Sequence, residues 1–315
     1  MKIKLYFLGS GEIAVPVLDR IYRSDRFELL GVCTQRDRPA GRSKALLPTP
    51  VGVWAQKNNV DADKPLSVND SVFISKVKEL APDIILVISF GQILKETFLE
   101  IPKISCVNVH ASLLPKYRGA SPITSAILNA DSEAGVCFMK MEKGLDNGAV
   151  YKEVKMSLHG DEYADELELN LGKLAAENTE ETIYDIFSGK IYPKKQDHSR
   201  ASYVGKIKKN DGFIDWNMSA MEIERKIRAF YPWPGAYFNI NTSKGLKKIN
   251  ITAGEVINDL TGRAGEVIKS DKTGWIISCG SGALKIARLI PEGKKEMAGE
   301  DFLLGTRIEA GSFVN

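Results

Sequence analysis

Between residues 3 and 110 the chain alternates apolar runs of strand length with stretches of helical periodicity, and few folds accommodate that alternation. Residues 3–8, 27–34, 83–89 and 105–109 read as strands, with helices over 12–24 and 71–80 between them. Strands joined by helices of this length run parallel, in a sheet covered on both faces. Right-handed crossovers then carry the strand C-termini to one edge, where open α/β sheets hold their ligands. The second half has a different texture. A long helical stretch runs from about Asp161 to Phe187 and stops at Ser188-Gly189-Lys190. After one further helix over 220–230 come short β-rich runs, 248–252, 265–269, 275–278 and 283–287, separated by Gly, Asn and Asp turns. That pattern suits a small barrel or sandwich. The expected fold is α/β: a Rossmann-like, mostly parallel sheet in an N-terminal domain, plus a small OB-like β-barrel domain at the C-terminus.

At 315 residues the chain is long enough for two domains, and its charge marks the seam between them. Residues 1–189 carry 22 basic and 26 acidic side chains, residues 210–315 carry 14 and 13, and the stretch 190–209 carries 7 and 1. A catalytic domain over 1–189, a basic linker over 190–209 and a C-terminal β-barrel domain over 210–315 are expected. The bland account of the linker is a solvated connector. The functional account is a contact with nucleic acid, because clustered cations gain affinity by releasing counterions from phosphates. The overall balance, 43 Lys and Arg against 40 Asp and Glu, names no partner, and a hydrophobic content of 43% excludes a disordered or fibrous chain. Cys33, Cys106, Cys137 and Cys279 make no CxxC pair and no zinc-like spacing, so buried thiols in a reducing cytoplasm are expected, and no metal. The densest apolar run, 84–88, is far short of the roughly 20 residues of a membrane span. The N-terminal apolar run breaks at Gly9, Gly11 and Glu12 without a clean cleavage site. A cytoplasmic protein with no membrane partner is expected.

Three stretches invite a chemical reading. Gly9-Ser10-Gly11, with Ala14, resembles a dinucleotide-binding turn, but the second strand ends in Cys33-Thr34-Gln35-Arg36 without the carboxylate that holds a ribose. A tight strand-to-helix turn explains the glycines, and a nicotinamide oxidoreductase is disfavoured. The connection over 34–44 holds Arg36, Arg38, Arg42 and Lys44 against Asp37 alone. Long connections inside compact domains are commonly functional, and this one reads as a basic arm for phosphates. The richest stretch runs from Asn108 to Ile123. Asn108 and His110 stand two apart at a strand end, so their side chains project on one face. Pro115 turns the chain, and Ser121-Pro122 suits a helix start. Farther on, Gly144-Leu145-Asp146-Asn147-Gly148 presents one carboxylate from a glycine-bracketed loop. Each residue alone has an ordinary structural explanation. Together they supply acyl transfer without a covalent intermediate: Asn108 and a protonated His110 stabilise an oxyanion, and Asp146 orients the imidazole.

The same residues carry a resemblance. The run Asn108–Ile123, with Gly144–Gly148, resembles the folate-dependent formyltransferases. Within that family, residues 34–42 resemble the insertion loop of the methionyl-tRNA formyltransferases. Residues 227–236 resemble the entry to their C-terminal domain, and 291–297 with 301–303 their final segment. The resemblance therefore spans essentially the whole chain. Arg36 and Asn147 stand in place of a Pro and a Thr, and Gln92 in place of a bulky apolar residue; none of these departures falls on Asn108, His110 or Asp146.

The resemblance implies transfer of the formyl group of 10-formyltetrahydrofolate to the α-amino group of methionine on initiator Met-tRNA, for translation initiation. In that reaction Asn108 and His110 are the oxyanion donors, and Asp146 relays the amine's proton through an ordered water towards the folate nitrogen. Ser112, Leu113, Leu114 and Pro115 form the implied folate-binding turn. The implied tRNA clamp joins Arg36, Arg38, Arg42 and Lys44 to Lys194, Lys195, Arg200, Lys206, Lys208 and Lys209. The folate is then a co-substrate, no metal takes part, and a monomer is expected. One alternative is a formyltransferase acting on an amino sugar, which needs neither the basic loop nor the linker. The other is an inactive tRNA-binding module, which has no use for an intact Asn108, His110 and Asp146.

Overall fold

A computed structural model describes residues 2–40, 45–242 and 245–314. They fall into two compact units. Met1–Pro122, Glu133–Ser157 and Leu167–Val204 make one, and Ile123–Ser132, Leu158–Glu166 and Gly205–Asn315 make the other.

The chain begins with β1 (Ile3–Gly9), α1 (Ala14–Arg23) and β2 (Phe27–Cys33), then a short ribbon of β3 (Arg38–Ala40) and β4 (Ala45–Leu47). Next come α2 (Pro50–Lys57), β5 (Ala62–Asp63), α3 (Ser71–Glu79), β6 (Ile84–Ile88), α4 (Glu96–Leu99), β7 (Ser105–His110) and β8 (Arg118–Gly119). After α5 (Pro122–Leu128) follow β9 (Glu133–Lys140), β10 (Val150–Ser157), α6 (Ala164–Phe187) and β11 (Tyr203–Val204). One sheet of seven strands has the order β10-β9-β7-β6-β1-β2-β5. Strands β7, β6, β1, β2 and β5 run parallel, and β9 and β10 continue the sheet antiparallel beyond β7. The mostly parallel sheet expected from the alternation is therefore present, with an antiparallel edge that the alternation does not reveal. β6 is Ile-Ile-Leu-Val-Ile with every residue buried, as a central strand covered on both faces requires. The chain steps from β1 to β2 on one side and has β6 on the other, so the switch in strand order falls between β1 and β6, one strand from β7.

The first turn explains its own glycines. A Cβ on Gly9 would lie 2.7 Å from the Phe7 ring, and one on Gly11 would lie 2.6 Å from Ser89 Oγ. At the start of α1, where a pyrophosphate would bind, the Ile13 N–H instead donates to Glu168 Oε1 of α6 at 3.3 Å. A carboxylate of the protein's own occupies the place of the anion.

In the second unit, α7 (Ala220–Ala229) starts from a capping box in which Ser219 and Glu222 satisfy each other's backbone N–H groups. It precedes β12 (Ala236–Thr242), β13 (Gly245–Ile257), β14 (Val267–Asp271), β15 (Gly274–Ser278), β16 (Ala283–Pro291), β17 (Met297–Ala298) and α8 (Gly299–Gly305). These strands form an antiparallel sheet in the order β12-β13-β16-β15-β14, with β17 beside β16. Among the described residues no pairing joins β14 back to β12, so the expected barrel is an open half-barrel. Its inner face is aromatic: Phe238 meets Trp216 and Trp275 edge-on at 5.4 and 5.8 Å, and Trp275 stacks on Phe302 at 5.4 Å. Such rings each remove a large apolar area from water and prefer these offset geometries.

Candidate active site

Along β7 the side chains alternate, so Asn108 and His110 share one face at the C-terminal end of the strand. His110 is only 7% exposed. Its Nε2 lies 2.9 Å from the Tyr117 carbonyl. A carbonyl can only accept, so Nε2 carries a proton, and Nδ1 is the nitrogen whose protonation can change. Nδ1 faces Asp146 Oδ2 at 3.7 Å, within ion-pair reach and beyond hydrogen-bond length. The same Oδ2 accepts the Gly119 N–H at 2.8 Å.

Asp146 reaches this place because its loop turns back sharply. Asp146 itself sits at φ +46°, a left-handed conformation that Asp tolerates better than most residues. Gly148 passes so close to β9 that a Cβ there would lie 1.9 Å from the Lys140 carbonyl. The structure thus brings together the imidazole and the carboxylate singled out in the sequence, with Asn108 on the same strand face as His110.

The turn over 112–115 is built largely from itself. Ser112 Oγ donates to the Lys116 carbonyl at 2.6 Å, and Leu114 is buried with Cys137 and Met139. The Leu114 N–H points at Cys137 Sγ, 3.3 Å away. Leu113 and Pro115 are half-buried, and so are the two side chains of this turn with surface to offer. Of the expected tRNA-facing residues, Arg36, Arg38, Lys194, Lys195, Arg200, Lys206, Lys208 and Lys209 are all exposed. Arg42 and Lys44 lie outside the described residues.

Sequence reasoning missed what holds the carboxylate in place. Arg118 is 1% exposed and Gln196 9% exposed. Gln196 Nε2 donates to the Asp146 and Gly148 carbonyls at 2.9 and 2.7 Å. Its Oε1 accepts from Arg118 Nε and Nη2 at 3.1 and 2.7 Å. The segment bearing Gln196 is pinned on either side. Lys194 and Val150 exchange backbone hydrogen bonds at 2.8 Å, and β11 pairs in parallel with β8. Residues 194–204 of the basic stretch are therefore laid against the first unit. No periodicity marks Gln196, which sits in a polar run; its burial is the one feature that sets it apart.

Burial pushes the Cys137 thiol up to about 12, which makes it a poor nucleophile. Among the described residues no group of three or more His, Cys, Asp or Glu gathers as a metal site, and no helix is long and apolar enough to cross a membrane.

Residues 1–182 match the family model described as formyl transferase, and residues 206–307 match formyl transferase, C-terminal domain. The chain belongs to the formyl transferase family. Two relatives are alike over nearly their whole length. The methionyl-tRNA formyltransferase of Geobacter sulfurreducens is 38% identical over 98% of this chain and 96% of its own. That of Clostridioides difficile is 38% identical over 98% and 99%. Solved structures share the fold. The sugar 3N-formyl transferase WlaRD, crystallised with dTDP and 5-N-formyl-THF, superposes with a TM-score of 0.67 at 22% identity, over 94% of this chain and 100% of that one. The methionyl-tRNA formyltransferase from Clostridium thermocellum superposes with a TM-score of 0.55 at 16% identity, over 82% and 95%. In this formyltransferase, His110 and Asp146 meet in the portion that matches the N-terminal family model, and the half-barrel lies in the portion that matches the C-terminal one.

Proposed function

We propose that this formyltransferase moves the formyl group of 10-formyltetrahydrofolate to the α-amino group of methionine on initiator Met-tRNA, giving N-formylmethionyl-tRNA for translation initiation. The observation that carries the chemistry is the His110–Asp146 pair at 3.7 Å, with Nε2 committed to the Tyr117 carbonyl. The observation that carries the acceptor is likeness to methionyl-tRNA formyltransferases over nearly the whole chain, half-barrel included.

An α-amine titrates near pH ~8, so a useful fraction is neutral at pH 7 and attacks the formyl carbon directly. A bond forms between that nitrogen and the carbon, and negative charge gathers on the formyl oxygen. The Asn108 amide and His110 Nδ1–H donate to that oxygen, and the Asp146 carboxylate, 3.7 Å from Nδ1, orients the imidazole. The bond from carbon to N10 of the folate then breaks. Asp146 takes the proton lost by the amine and returns it, through a water, to the departing nitrogen. No side chain becomes acylated.

The folate packs on the turn of Ser112, Leu113, Leu114 and Pro115, with Leu113 and Pro115 supplying its open surface. The tRNA is held by Arg36, Arg38, Arg42 and Lys44 together with Lys194, Lys195, Arg200, Lys206, Lys208 and Lys209. In this reading residues 1–189 are the catalytic domain, 190–209 a basic connection and 210–315 a tRNA-binding domain, and the enzyme works as a cytoplasmic monomer. The test is formyl transfer from 10-formyltetrahydrofolate to charged initiator tRNA, run beside a nucleotide-linked amino sugar. Formylmethionyl-tRNA as the main product is expected. Faster formylation of the sugar, or an Asn108→Ala variant of near-normal turnover with folate saturating, overturns the acceptor or the mechanism respectively.

A further inference from the structure

Arg118 poses an energetic problem. It is a buried cation, and among the described residues its side-chain partners are all neutral: Gln196 Oε1, Tyr203 Oη at 3.0 Å and His198 Nδ1 at 3.1 Å. A buried charge without an opposite charge costs stability, so its retention calls for another use. That use is visible in Gln196. A primary amide has two N–H donors and two carbonyl lone pairs, and here all four are engaged. The arrangement permits only one orientation. Turning the amide over would set its NH2 against the guanidinium and its oxygen against two backbone carbonyls.

We propose that Gln196 is a positioning residue for the catalytic carboxylate, locked by Arg118 so that its amide fixes the carbonyls of Asp146 and Gly148. This rests on the reading of Asp146 given above. Gln196 holds the carbonyl of the left-handed Asp146 and that of Gly148 two residues on, and so fixes the backbone immediately after the carboxylate. The same segment also braces the opposite wall of the site. The Ser202 carbonyl accepts the Arg118 N–H at 2.8 Å, and the Val204 carbonyl accepts the Ala120 N–H at 3.0 Å. Between those two bonds lies Gly119, whose N–H binds Asp146 Oδ2, and just before them lies Tyr117, whose carbonyl fixes the His110 tautomer. Both sides of the 3.7 Å gap between imidazole and carboxylate are therefore set by residues 196–204. A misplacement of about 1 Å at such a gap can cost on the order of 100-fold in rate.

The decisive variant is Gln196→Glu. A carboxylate still accepts both Arg118 bonds and gives that buried cation an opposite charge, which keeps the segment docked, but its second oxygen repels the two loop carbonyls that the amide N–H groups held. A fall in kcat of at least ~10-fold is expected, with KM for Met-tRNA and for the folate changed less than about threefold in a variant that remains folded at the assay temperature. A double-mutant cycle with Asp146→Asn separates positioning from general damage. If Gln196 acts through Asp146, Gln196→Glu costs little further rate in the Asp146→Asn background. Additive losses in the cycle overturn the proposal, as does a kcat for Gln196→Glu within twofold of the parent. Gln196→Met, of similar shape and without donors, serves if Gln196→Glu does not fold. Failure of both to fold assigns the residue to stability and overturns positioning. If Asp146→Asn itself keeps full activity, the reading of the site fails, and not this inference alone.

Discussion

Replacing Asp146 by Asn removes one charge and almost nothing else. The amide oxygen of Asn can accept the Gly119 N–H as Oδ2 does now at 2.8 Å, and the backbone carbonyl still receives Gln196 Nε2. What is lost is a negative charge 3.7 Å from Nδ1 of His110, between side chains only 17% and 7% exposed. At an effective dielectric of about 20, two unit charges about 4 Å apart interact by about 4 kcal/mol, a ceiling on what this charge contributes in the transition state. At 1.36 kcal/mol per decade, that ceiling corresponds to about 10³ in rate. Partial access of water to the aspartate lowers the expected effect to about 10²–10³. Asn also cannot accept the amine's proton, so the loss should persist when both substrates saturate. The assay is single-turnover formylation of Met-tRNA with 10-formyltetrahydrofolate in excess, with folate affinity and Tm followed in parallel and expected to change little. A loss smaller than about fivefold in a folded variant that binds folate normally would refute the role of this charge.

Other expectations concern the clamp, the core and the thiols. Lys206→Ala, Lys208→Ala and Lys209→Ala combined should weaken tRNA binding and flatten the plot of log affinity against log salt by about 0.9 for each phosphate contact removed; an unchanged slope removes these lysines from the clamp. Phe238→Ala should cost about 3–5 kcal/mol in urea unfolding followed by tryptophan fluorescence, because the ring is fully buried between Trp216 and Trp275. All four cysteines are buried, and burial raises every thiol well above its usual range, with Cys137 and Cys279 at about 12. A maleimide near pH ~8 should therefore label none of them until guanidinium chloride unfolds the chain; labelling of Cys137 in the native protein would contradict its place behind Leu114.

The elements legible in the sequence are those whose identity is settled locally. β1, β2, β6 and β7 announce themselves because a buried parallel strand is an unbroken apolar run, and α1, α3, α6 and α7 because their apolar residues recur at helical spacing. β10 is harder to see. Its sequence Val-Tyr-Lys-Glu-Val-Lys-Met-Ser carries three charged residues in eight, as suits an edge strand with one face in water. α2 begins behind the Thr49 cap with Pro50 at its first position, yet it is only eight residues long and follows the basic connection over 34–44, and no helix is assigned there from the sequence. Closure of the half-barrel is a property of strand ends that never meet, which no spacing of turns encodes.

The proposed catalytic set divides in the same way. Asn108 and His110 are legible because two residues of one strand share a face by geometry alone, and Asp146 because glycines on both sides single out its carboxylate. Gln196 and Arg118 are 78 positions apart, and their bond has no local signature at either end. Arg118 sits beside Lys116 and Tyr117, where nothing local marks it for burial; Gln196 sits in the run Lys194-Lys195-Gln196-Asp197-His198, within the stretch whose bland account is a solvated connector. The charge of that run points to phosphates, and its exposed lysines are free to meet them. Its one buried side chain faces the other way, into the loop that carries Asp146. In the proposed reading, a single short segment holds the tRNA-facing cations on its outer surface and the catalytic carboxylate from its inner one. In this reading, a tRNA that shifts the segment through Lys194, Lys195 or Arg200 also acts on the position of Asp146, so weakened tRNA contact there should lower kcat as well as affinity.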